Sequence, residues 1–260
     1  MNRLRFRTRA RLATAPVTYD SAASTLFAAM DVSLSNNDKS AVDAAIVALK
    51  AQSIWTELDW FNFAMATEQQ TLLNWKNPGT GTGQRATKTG TVNFVAYQGM
   101  TGNGTDGIMD TGLTDTTATA FSQDDCSMGI RLHALGAGSA ATCGNTKARI
   151  LINTGGTFTY RANTAGDMTG VATGSNTSPF DYAWSRDGAS SARSYFNGAG
   201  ETASTTASSA PNAGTFQFCG VGAAFSNHTI KSYWYGGQLS GAQHASMKSI
   251  LDTLAAALNL

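Results

Sequence analysis

The chain has 260 residues, of which 27 are glycine and 13% are charged, and its formal net charge is +1. This near-neutral balance excludes a general attraction of the whole chain to nucleic acid or to anionic lipid. No run of residues approaches the roughly 18 consecutive apolar side chains that a membrane-spanning helix needs. Low charge with abundant glycine is instead typical of strands joined by turns.

The first 12 residues alternate between arginine and less polar side chains. In an extended chain, this alternation places the charges on one face and groups such as Leu4 and Phe6 on the other. We therefore predict an extended basic arm over residues 1–18 that docks as an added strand on another protein. Contact with packaged DNA and simple solvation are the alternatives. The candidate attachment residues are Arg3, Arg5, Arg7, Arg9 and Arg11.

Residues 19–78 show helical spacing of apolar side chains and are predicted to be an attachment segment. Asp20 is a candidate N-cap for a first helix, and Asn36 opens a second one. A rotated apolar stripe over residues 54–65 predicts further helix, with a kink or a change of partner near Ser53.

Thr67 and Gln70 have the spacing of a capping box, which predicts a short third helix extending to Trp75. Pro78 should end this helix, because the residue before a proline disfavours helical dihedral angles. Residues 79–90, GTGTGQRATKTG, have no apolar side chain to anchor a helix. We predict a linker or a long turn, with a domain boundary, there.

Beyond residue 90 the spacing of apolar side chains changes to a period of two, which is typical of strands. Clusters of Gly, Asn, Asp and Ser separate the short runs, as expected for antiparallel strands joined by turns. We predict a two-sheet antiparallel jelly-roll sandwich over residues 79–238. The predicted strands lie near 92–96, 107–111, 127–133, 148–153, 157–162, 179–186, 193–197, 215–221 and 229–236.

Residues 239–260 are predicted to form a C-terminal helix that packs beside the N-terminal helices or under the sandwich. Ser240 and Gln243 have the spacing of a capping box, and an apolar stripe follows. The fold class is therefore mainly β, with an N-terminal helical segment and a C-terminal helix. Three cysteines lack the spacing of a zinc or redox site, so we expect them to be reduced and mostly buried. They are Cys126, Cys143 and Cys219.

Three stretches carry a resemblance to a known family: TEQQTLLNWKNP at 67–78, VNFVAYQGMTGNGTDGIMDTGL at 92–113 and YWYGGQLSGAQHASMKSILDTLAAAL at 233–258. In this order they resemble proteins encoded among tailed-bacteriophage structural genes, whose middle part is similar to a concanavalin A-like or laminin-G-like jelly roll. SYFNGAGET at 194–202 resembles a strand-turn-strand hairpin of such sandwiches. The resemblance implies a virion structural protein, although laminin-G-like folds host binding, assembly and catalysis alike.

Aromatic side chains in the predicted strands are the candidate glycan contacts, because outward-facing rings can stack on sugars. We select Trp184, Tyr195 and Trp234, with Asn197 as a neighbouring hydrogen-bonding group. Packing between sheets or between subunits is the commoner role of such rings, and this alternative stays open.

A calcium ion is the one cofactor that the sequence suggests, since Asn103, Asp106 and Asp110 could surround a hard cation from one loop and strand. Plain turn-forming hydrogen bonds are the alternative. Glycoside hydrolysis needs two carboxylates that flank the scissile bond. Neither Asp124 with Asp125 nor Asp181 with Asp187 forms an evident pair, so we expect no enzyme.

The leading hypothesis is a non-enzymatic phage virion protein of the tail, baseplate or capsid surface, whose sandwich adheres to host-surface glycans. The alternatives are a capsid decoration or cementing protein with no ligand, and a polysaccharide-degrading enzyme. We expect other virion proteins as partners, a homo-oligomer such as a trimer, no membrane insertion and no nucleic acid binding. The protein would be made in the host bacterial cytoplasm and reside in the virion.

Overall fold

The computed structural model describes residues 17–136, 140–152, 158–170 and 180–258. The predicted attachment residues Arg3, Arg5, Arg7, Arg9 and Arg11 lie outside the described residues. Within these ranges the chain forms five helices and 17 strands, and most of the strands belong to two antiparallel sheets stacked as a sandwich. The predicted fold class, mainly β with N-terminal helices and a C-terminal helix, is confirmed.

Three of the described helices begin at the side-chain caps that the sequence predicted. The Asp20 carboxylate accepts a backbone N–H at the first helix, and Thr67 and Ser240 complete capping boxes with Gln70 and Gln243. In the described part of the chain, none of the helices combines the length and apolar character needed to span a bilayer. They are α1 (Ser21–Ala29), α2 (Asn36–Ala51), α3 (Ile54–Glu57), α4 (Glu68–Leu72) and α5 (Gly241–Ala257).

The strands are β1 (Leu58–Phe63), β2 (Thr87–Thr89), β3 (Val92–Val95), β4 (Gly99–Gly102), β5 (Ile108–Thr114), β6 (Cys126–Ala134), β7 (Ala140–Gly144), β8 (Ala148–Ile152), β9 (Phe158–Ala162), β10 (Met168–Thr169), β11 (Phe180–Gly188), β12 (Ser191–Phe196), β13 (Ala199–Ser204), β14 (Thr215–Phe218), β15 (Gly220–Val221), β16 (Ala224–Phe225) and β17 (Thr229–Gly236). The first sheet has the order β13-β12-β11-β6-β17-β4-β3, and β1 also pairs with β17. The second sheet has the order β10-β9-β8-β7-β14-β5-β2.

Every run predicted as a strand overlaps an observed strand. The hairpin at 194–202 is also confirmed, since β12 and β13 pair antiparallel across a turn at Asn197 and Gly198. Both turn residues have positive φ, 51° and 70°, as in the two-residue turns that match the twist of a hairpin. The strands that the sequence did not indicate, such as β4 and β7, are short and rich in Gly, Ala and Thr.

The helical prediction for residues 54–65 is wrong beyond the four residues of α3. Ser53 has a φ of 54°, which breaks the helix at the predicted kink, and the chain then enters β1. All six residues of β1 are buried, with Trp60 in the core between the sheets and Phe61 in the core under the helices. A strand buried on both faces has no alternation of apolar and polar residues, so its pattern resembles that of a buried helix.

The boundary predicted at residues 79–90 does not separate the helical segment from the sandwich. β1 lies on the N-terminal side of this boundary, yet it belongs to the first sheet through β17. β2 lies inside the predicted linker and pairs with β5 at the edge of the second sheet. The third helix ends at Leu72 rather than Trp75, because Leu73 forms an antiparallel bridge with Arg85.

Two hydrophobic cores lie on opposite faces of the first sheet. The core between the sheets contains Trp184, whose ring stacks on Tyr160 with centroids 6.4 Å apart. The second core lies under α2 and α5, and the sheet contributes Trp234 and Tyr195 to it. Thus α5 packs beside α2 and also on the sandwich, which combines both predicted placements. The three cysteines are free and buried, as predicted, and burial raises the pKa of each thiol.

A buried ion pair fixes α5 on the first sheet. Arg131 of β6 is 3% exposed and donates to Asp181 of β11 at 3.3 Å and to Asp252 of α5 at 2.5 Å. Burial raises the pKa of Asp181 to about 6, against the opposing effect of the Arg131 charge. Removing one partner would leave a buried charge uncompensated, so the pair specifies where α5 docks.

Gly129 gives a direct test of the packing under the helices. It pairs with Trp234 across β6 and β17, and an added Cβ would lie 2.0 Å from the Trp234 ring. We expect Gly129→Ala to lower the free energy of unfolding by about 1–3 kcal/mol, measured by urea denaturation. Gly166→Ala is the control, because its Cβ would meet nothing within 4 Å. Equal stability of the two variants would contradict the packing described.

His244 predicts a pH dependence of stability. Its Nε2 lies 2.7 Å from the Ser185 hydroxyl, which itself donates to the Leu239 carbonyl at 2.8 Å, so Nε2–H is the donor to Ser185. Burial lowers the pKa of His244 to about 3 from an ordinary value of 6.5. Below pH 6.5, His244 therefore binds a proton in the unfolded chain but stays neutral in the folded chain. The free energy of unfolding falls as the pH falls.

The comparison with His244→Gln isolates this contribution, because the titration of Asp181 is common to both proteins. Between pH 6 and pH 4, the stability of the wild type relative to the variant should fall by about 1.4 kcal/mol per pH unit. Urea denaturation at several pH values measures the difference. A difference that does not change with pH would show that His244 is not held neutral.

Candidate functional site

The outer face of the second sheet carries a row of polar residues that the strand register places side by side. Successive cross-strand partners make up the row: Arg161, Arg149, Gly144, Gln217, Asp110 and Thr87. Asp167 bonds both arginines at one end of the row. Strand neighbours of these residues point toward the core, since side chains alternate along a strand. The other end of the row meets the chain segment 80–87.

A cleft of about 340 Å³ lies at this end of the row, and we call it the edge cleft. Its floor comes from β5 and β14, and its wall comes from the segment 80–87. Threonine hydroxyls and glycines dominate its lining, so its surface offers hydrogen bonds and close approach to the backbone. The lining residues are Thr80, Gly81, Thr82, Arg85, Thr87, Asp110, Thr111, Gly112 and Thr215.

Asp110 supplies the carboxylate of the edge cleft and is held in place by three donors. The Gly112 N–H donates to Oδ1 at 2.8 Å, and Oδ2 accepts from the Thr215 hydroxyl at 2.6 Å and from the Gln217 amide at 3.3 Å. A carboxylate has about four acceptor positions, so this group can still accept a hydrogen bond from a ligand hydroxyl. The hydroxyls of Thr80 and Thr82 are exposed and have no partner within the described ranges.

The wall of the cleft is fixed by a buried amide. The Asn74 side chain is fully buried and donates to the carbonyl oxygens of Asp59 and Gly83, both at 2.9 Å. Its oxygen accepts from the N–H groups of Phe61 and Lys76. One side chain therefore ties β1 to the segment that lines the cleft and fixes the path of the wall.

Arg85 lies between the edge cleft and a second cleft of about 500 Å³, the helix-side cleft. The second cleft is lined by Asp31, Thr67, Glu68, Gln69, Leu72, Arg85, Ala86, Thr87 and Lys88. Because both clefts are lined by Arg85 and Thr87, they lie side by side, and we call the two together the Arg85 groove. Two pairs within it are already satisfied, since Lys88 bonds Glu68 at 2.7 Å and the Thr67 hydroxyl donates to Asp31 at 3.0 Å.

The aromatic residues selected from the sequence do not form a glycan site. Trp184 lies between the two sheets, and Trp234 and Tyr195 lie under the helices, with at most 4% of any of these side chains exposed. Tyr195 stacks on His244 with ring centroids 4.1 Å apart. The rings cannot offer a face to a sugar, because both faces of the first sheet are covered. The alternative of core packing is therefore the correct interpretation.

The remaining glycan candidate, Asn197, is a turn residue. Its side-chain oxygen accepts from the Asp181 N–H at 3.0 Å, and its own N–H donates to the Asp181 carbonyl at 2.9 Å. These bonds hold the end of the β12–β13 hairpin against β11. Asn197 is half-buried and lies on the first sheet, away from the Arg85 groove on the second sheet.

The calcium candidates bond to protein groups as turn residues do. The Asn103 oxygen accepts three backbone N–H groups within its loop, and its amide donates to Asp106 at 2.7 Å. Asp106 also accepts the Thr91 N–H, whereas Asp110 bonds to β14. The three side chains thus have separate roles, and the turn interpretation replaces the calcium site. No group of three or more His, Cys, Asp or Glu side chains in the described ranges could hold a metal ion.

The two candidate carboxylate pairs do not flank a common cleft. Asp181 and Asp187 lie six residues apart on β11, which separates them by roughly 20 Å along the strand. Asp181 is buried against Arg131, while Asp187 bonds the Ser191 hydroxyl. In the other pair, Asp124 accepts from Ser208 and Asp125 accepts from the Gln238 N–H, so the two carboxylates face different segments.

Sequence reasoning missed most of the groove. Asp110 was selected for a different reason, and the segment 79–90 was interpreted as a linker. Its composition contained a usable signal: threonine and glycine alternate around a single arginine directly before a sandwich. The signal is weak because a linker and a hydroxyl-rich wall have the same composition, and only the bridge of Leu73 to Arg85 distinguishes them.

The comparisons with solved structures identify the fold. A Trypanosoma rangeli sialidase matches with a TM-score of 0.58 at 8% identity, over 83% of this chain and 40% of that chain. A mutant of that sialidase matches with a TM-score of 0.55 at 11% identity, over 82% of this chain and 39% of that chain. A receptor binding domain matches with a TM-score of 0.53 at 12% identity, over 78% of this chain and 53% of that chain. The chain thus spans about half or less of the length of each. No family model and no curated protein sequence matches it.

These likenesses, together with the two antiparallel sheets, show that the chain has the fold of a two-sheet antiparallel β-sandwich, like the matching parts of those proteins. Sequence identities of 8–12% support the fold alone. Function has to be argued from the Arg85 groove, because such sandwiches host many activities.

Proposed function

We propose that this chain is a non-enzymatic, saccharide-binding protein of a tailed-phage particle, and that the Arg85 groove is its binding site. The groove carries the proposal, because it places hydroxyls, one fixed carboxylate and a guanidinium along an open depression on a lectin-like fold. Sugars present closely spaced hydroxyls, which both donate and accept hydrogen bonds and so need donors and acceptors on the protein. The glycines at 81 and 112 let a ring approach the backbone closely.

The state of the carboxylates favours binding over hydrolysis. A glycosidase needs one protonated and one ionised carboxyl group on either side of the scissile bond. In the groove, Asp110 accepts three protein donors, Glu68 pairs with Lys88, and Asp31 accepts from Thr67. Carboxylates held in this way can position a ligand, which supports binding as the function of the groove.

The place in a virion is supported by the order of the phage-like sequence stretches and by the basic arm. Helices α2 and α5 cover the outer face of the first sheet, while the groove runs along the edge of the second sheet and is lined on its helix side by α4. This arrangement allows attachment through the N-terminal part and display of the groove. No aromatic ring lines either cleft, so each contact with a saccharide should be weak. Many copies of the protein on one particle, arranged for example as trimers, would then supply adhesion.

Saccharide binding can be mapped onto the groove by NMR titration. The probes are neutral glucose- and galactose-based trisaccharides and oligosaccharides from bacterial lipopolysaccharide and capsule. We expect amide shifts at 80–87, Gly112 and Thr215, and a loss of affinity of about fivefold in Thr87→Val, which removes one exposed hydroxyl. Thr169→Val, on β10 at the opposite edge of the same sheet, is the matched control.

Shifts that map to another surface would contradict the site. Absence of binding at millimolar concentration, together with stabilisation of particles against heat by the purified protein, would favour the decoration protein without a ligand. Release of reducing ends from the same oligosaccharides would favour the enzyme.

The arm is tested by deletion of residues 2–12. Since the helices and sheets described begin after these residues, the shortened protein should keep its melting temperature and its far-ultraviolet circular dichroism. It should no longer enter particles, measured by mass spectrometry of purified virions from cells that produce only the shortened form. Normal incorporation would contradict attachment through Arg3 to Arg11.

A further inference from the structure

We infer that the Arg85 groove selects saccharides that carry an oxyanion, a carboxylate or a sulfate, and that the Arg85 guanidinium pairs with this group. The inference rests on the proposed function, because it names the class of saccharide that the same groove takes. Three observations carry it: the state of the other arginines, the state of the groove carboxylates and the position of Arg85.

Arg85 is the one arginine without a hydrogen-bond or ion-pair partner in the described part of the chain. Its backbone is fixed by the bridge to Leu73, and its side chain is half-buried. The other described arginines all have partners: Arg131 with Asp181 and Asp252, Arg149 and Arg161 with Asp167, Arg186 with backbone carbonyl oxygens, and Arg193. A guanidinium has five N–H donors, and at Arg85 none of them bonds to a described protein group. These donors are therefore available to a ligand in the cleft.

None of the groove carboxylates pairs with the Arg85 guanidinium. Glu68 is bound by Lys88 at 2.7 Å, and Asp31 by the Thr67 hydroxyl at 3.0 Å. Asp110 is held by donors on β5 and β14. Lys88 neutralises Glu68, whereas Asp31 and Asp110 accept from neutral donors and keep their charge. None of the three carboxylates bonds to Arg85, so its guanidinium donors stay available to a ligand.

The position of Arg85 makes the anion the centre of the contact. Because Arg85 lines both clefts, an oxyanion bound to it lies at their junction. Sugar rings on either side would then reach Thr80 and Thr82 in one cleft and Gln69 in the other. A planar guanidinium forms two parallel, charge-assisted hydrogen bonds with a carboxylate or sulfate, which is stronger than bonding to neutral hydroxyls.

The experiment compares ligands that differ only in charge. Isothermal titration calorimetry is run with trigalacturonate against its methyl ester, and with a sulfated galactan tetrasaccharide against its desulfated form. We expect the wild type to bind the charged member of at least one pair about tenfold tighter or more. The pair that shows the preference identifies the oxyanion as carboxylate or sulfate.

Three variants assign the preference to Arg85. Arg85→Gln should remove the preference, because the affinity for the charged member should fall about tenfold more than that for the neutral member. The melting temperature should stay unchanged, since the side chain has no partner in the described part of the chain. Arg85→Lys should retain only part of the preference, because an ammonium is a point charge without the planar fork. Arg149→Gln, a matched change on the same sheet face, should leave the preference unchanged.

The possible outcomes distinguish a failure of the inference about Arg85 from a failure of the proposed saccharide binding. Equal affinity for charged and neutral members, or a preference that survives Arg85→Gln, overturns the inference but leaves saccharide binding standing. A loss in Arg85→Gln that is the same for both members also overturns it, because Arg85 would then be a general contact. No binding of any saccharide in either form overturns both.

Discussion

The alternation of side chains along β17 is the constraint on which the rest of the structure depends. Tyr233 and Tyr235 point into the core between the sheets, whereas Trp234 points into the core under the helices. β17 also pairs with β6, β4 and β1, so one strand holds two cores and the helical part together. The Trp234 ring fits its side of the sheet only because Gly129 stands opposite. A single strand therefore needs large apolar residues on both faces, which is the pattern of a fully buried strand.

The same pairing creates the groove on the opposite sheet. Once β1 lies beside β17, the chain must continue through α4 to the edge of the second sheet, and the buried amide of Asn74 fixes the return segment there. That segment becomes the wall of the edge cleft, with Arg85 at its rim. The described helices thus cover one face of the sandwich and, through β1, also shape the groove at the edge of the second sheet. The helical segment and the sandwich are therefore joined by strand pairing and by shared cores.

A groove of this kind favours selectivity over affinity. Its polar groups are fixed by hydrogen bonds within the protein, so little ordering is required when a ligand binds. It lacks the aromatic platform that gives many saccharide sites their affinity, because the rings of this chain are used in the two cores. The Arg85 guanidinium would add the charge-dependent contact that we infer for the groove. Weak and selective contacts would suit the proposed display in many copies, because effective concentration then supplies the adhesion.

The sequence by itself determined the elements whose signals are local. The caps at Asp20, Thr67 and Ser240 and the alternation in the longer strands, such as β6, β11 and β17, depend on neighbours within a few residues and were predictable. Short strands such as β4 and β7 carry no such signal. The tertiary structure alone decided that residues 58–63 form a strand and that Trp234 faces the core under the helices. It also decided that residues 80–87 form the wall of the edge cleft. These outcomes depend on partners such as β17, which lies about 170 residues further along the chain from β1. A pattern of apolar residues shows that a side chain is buried, but only the packed chain shows what buries it.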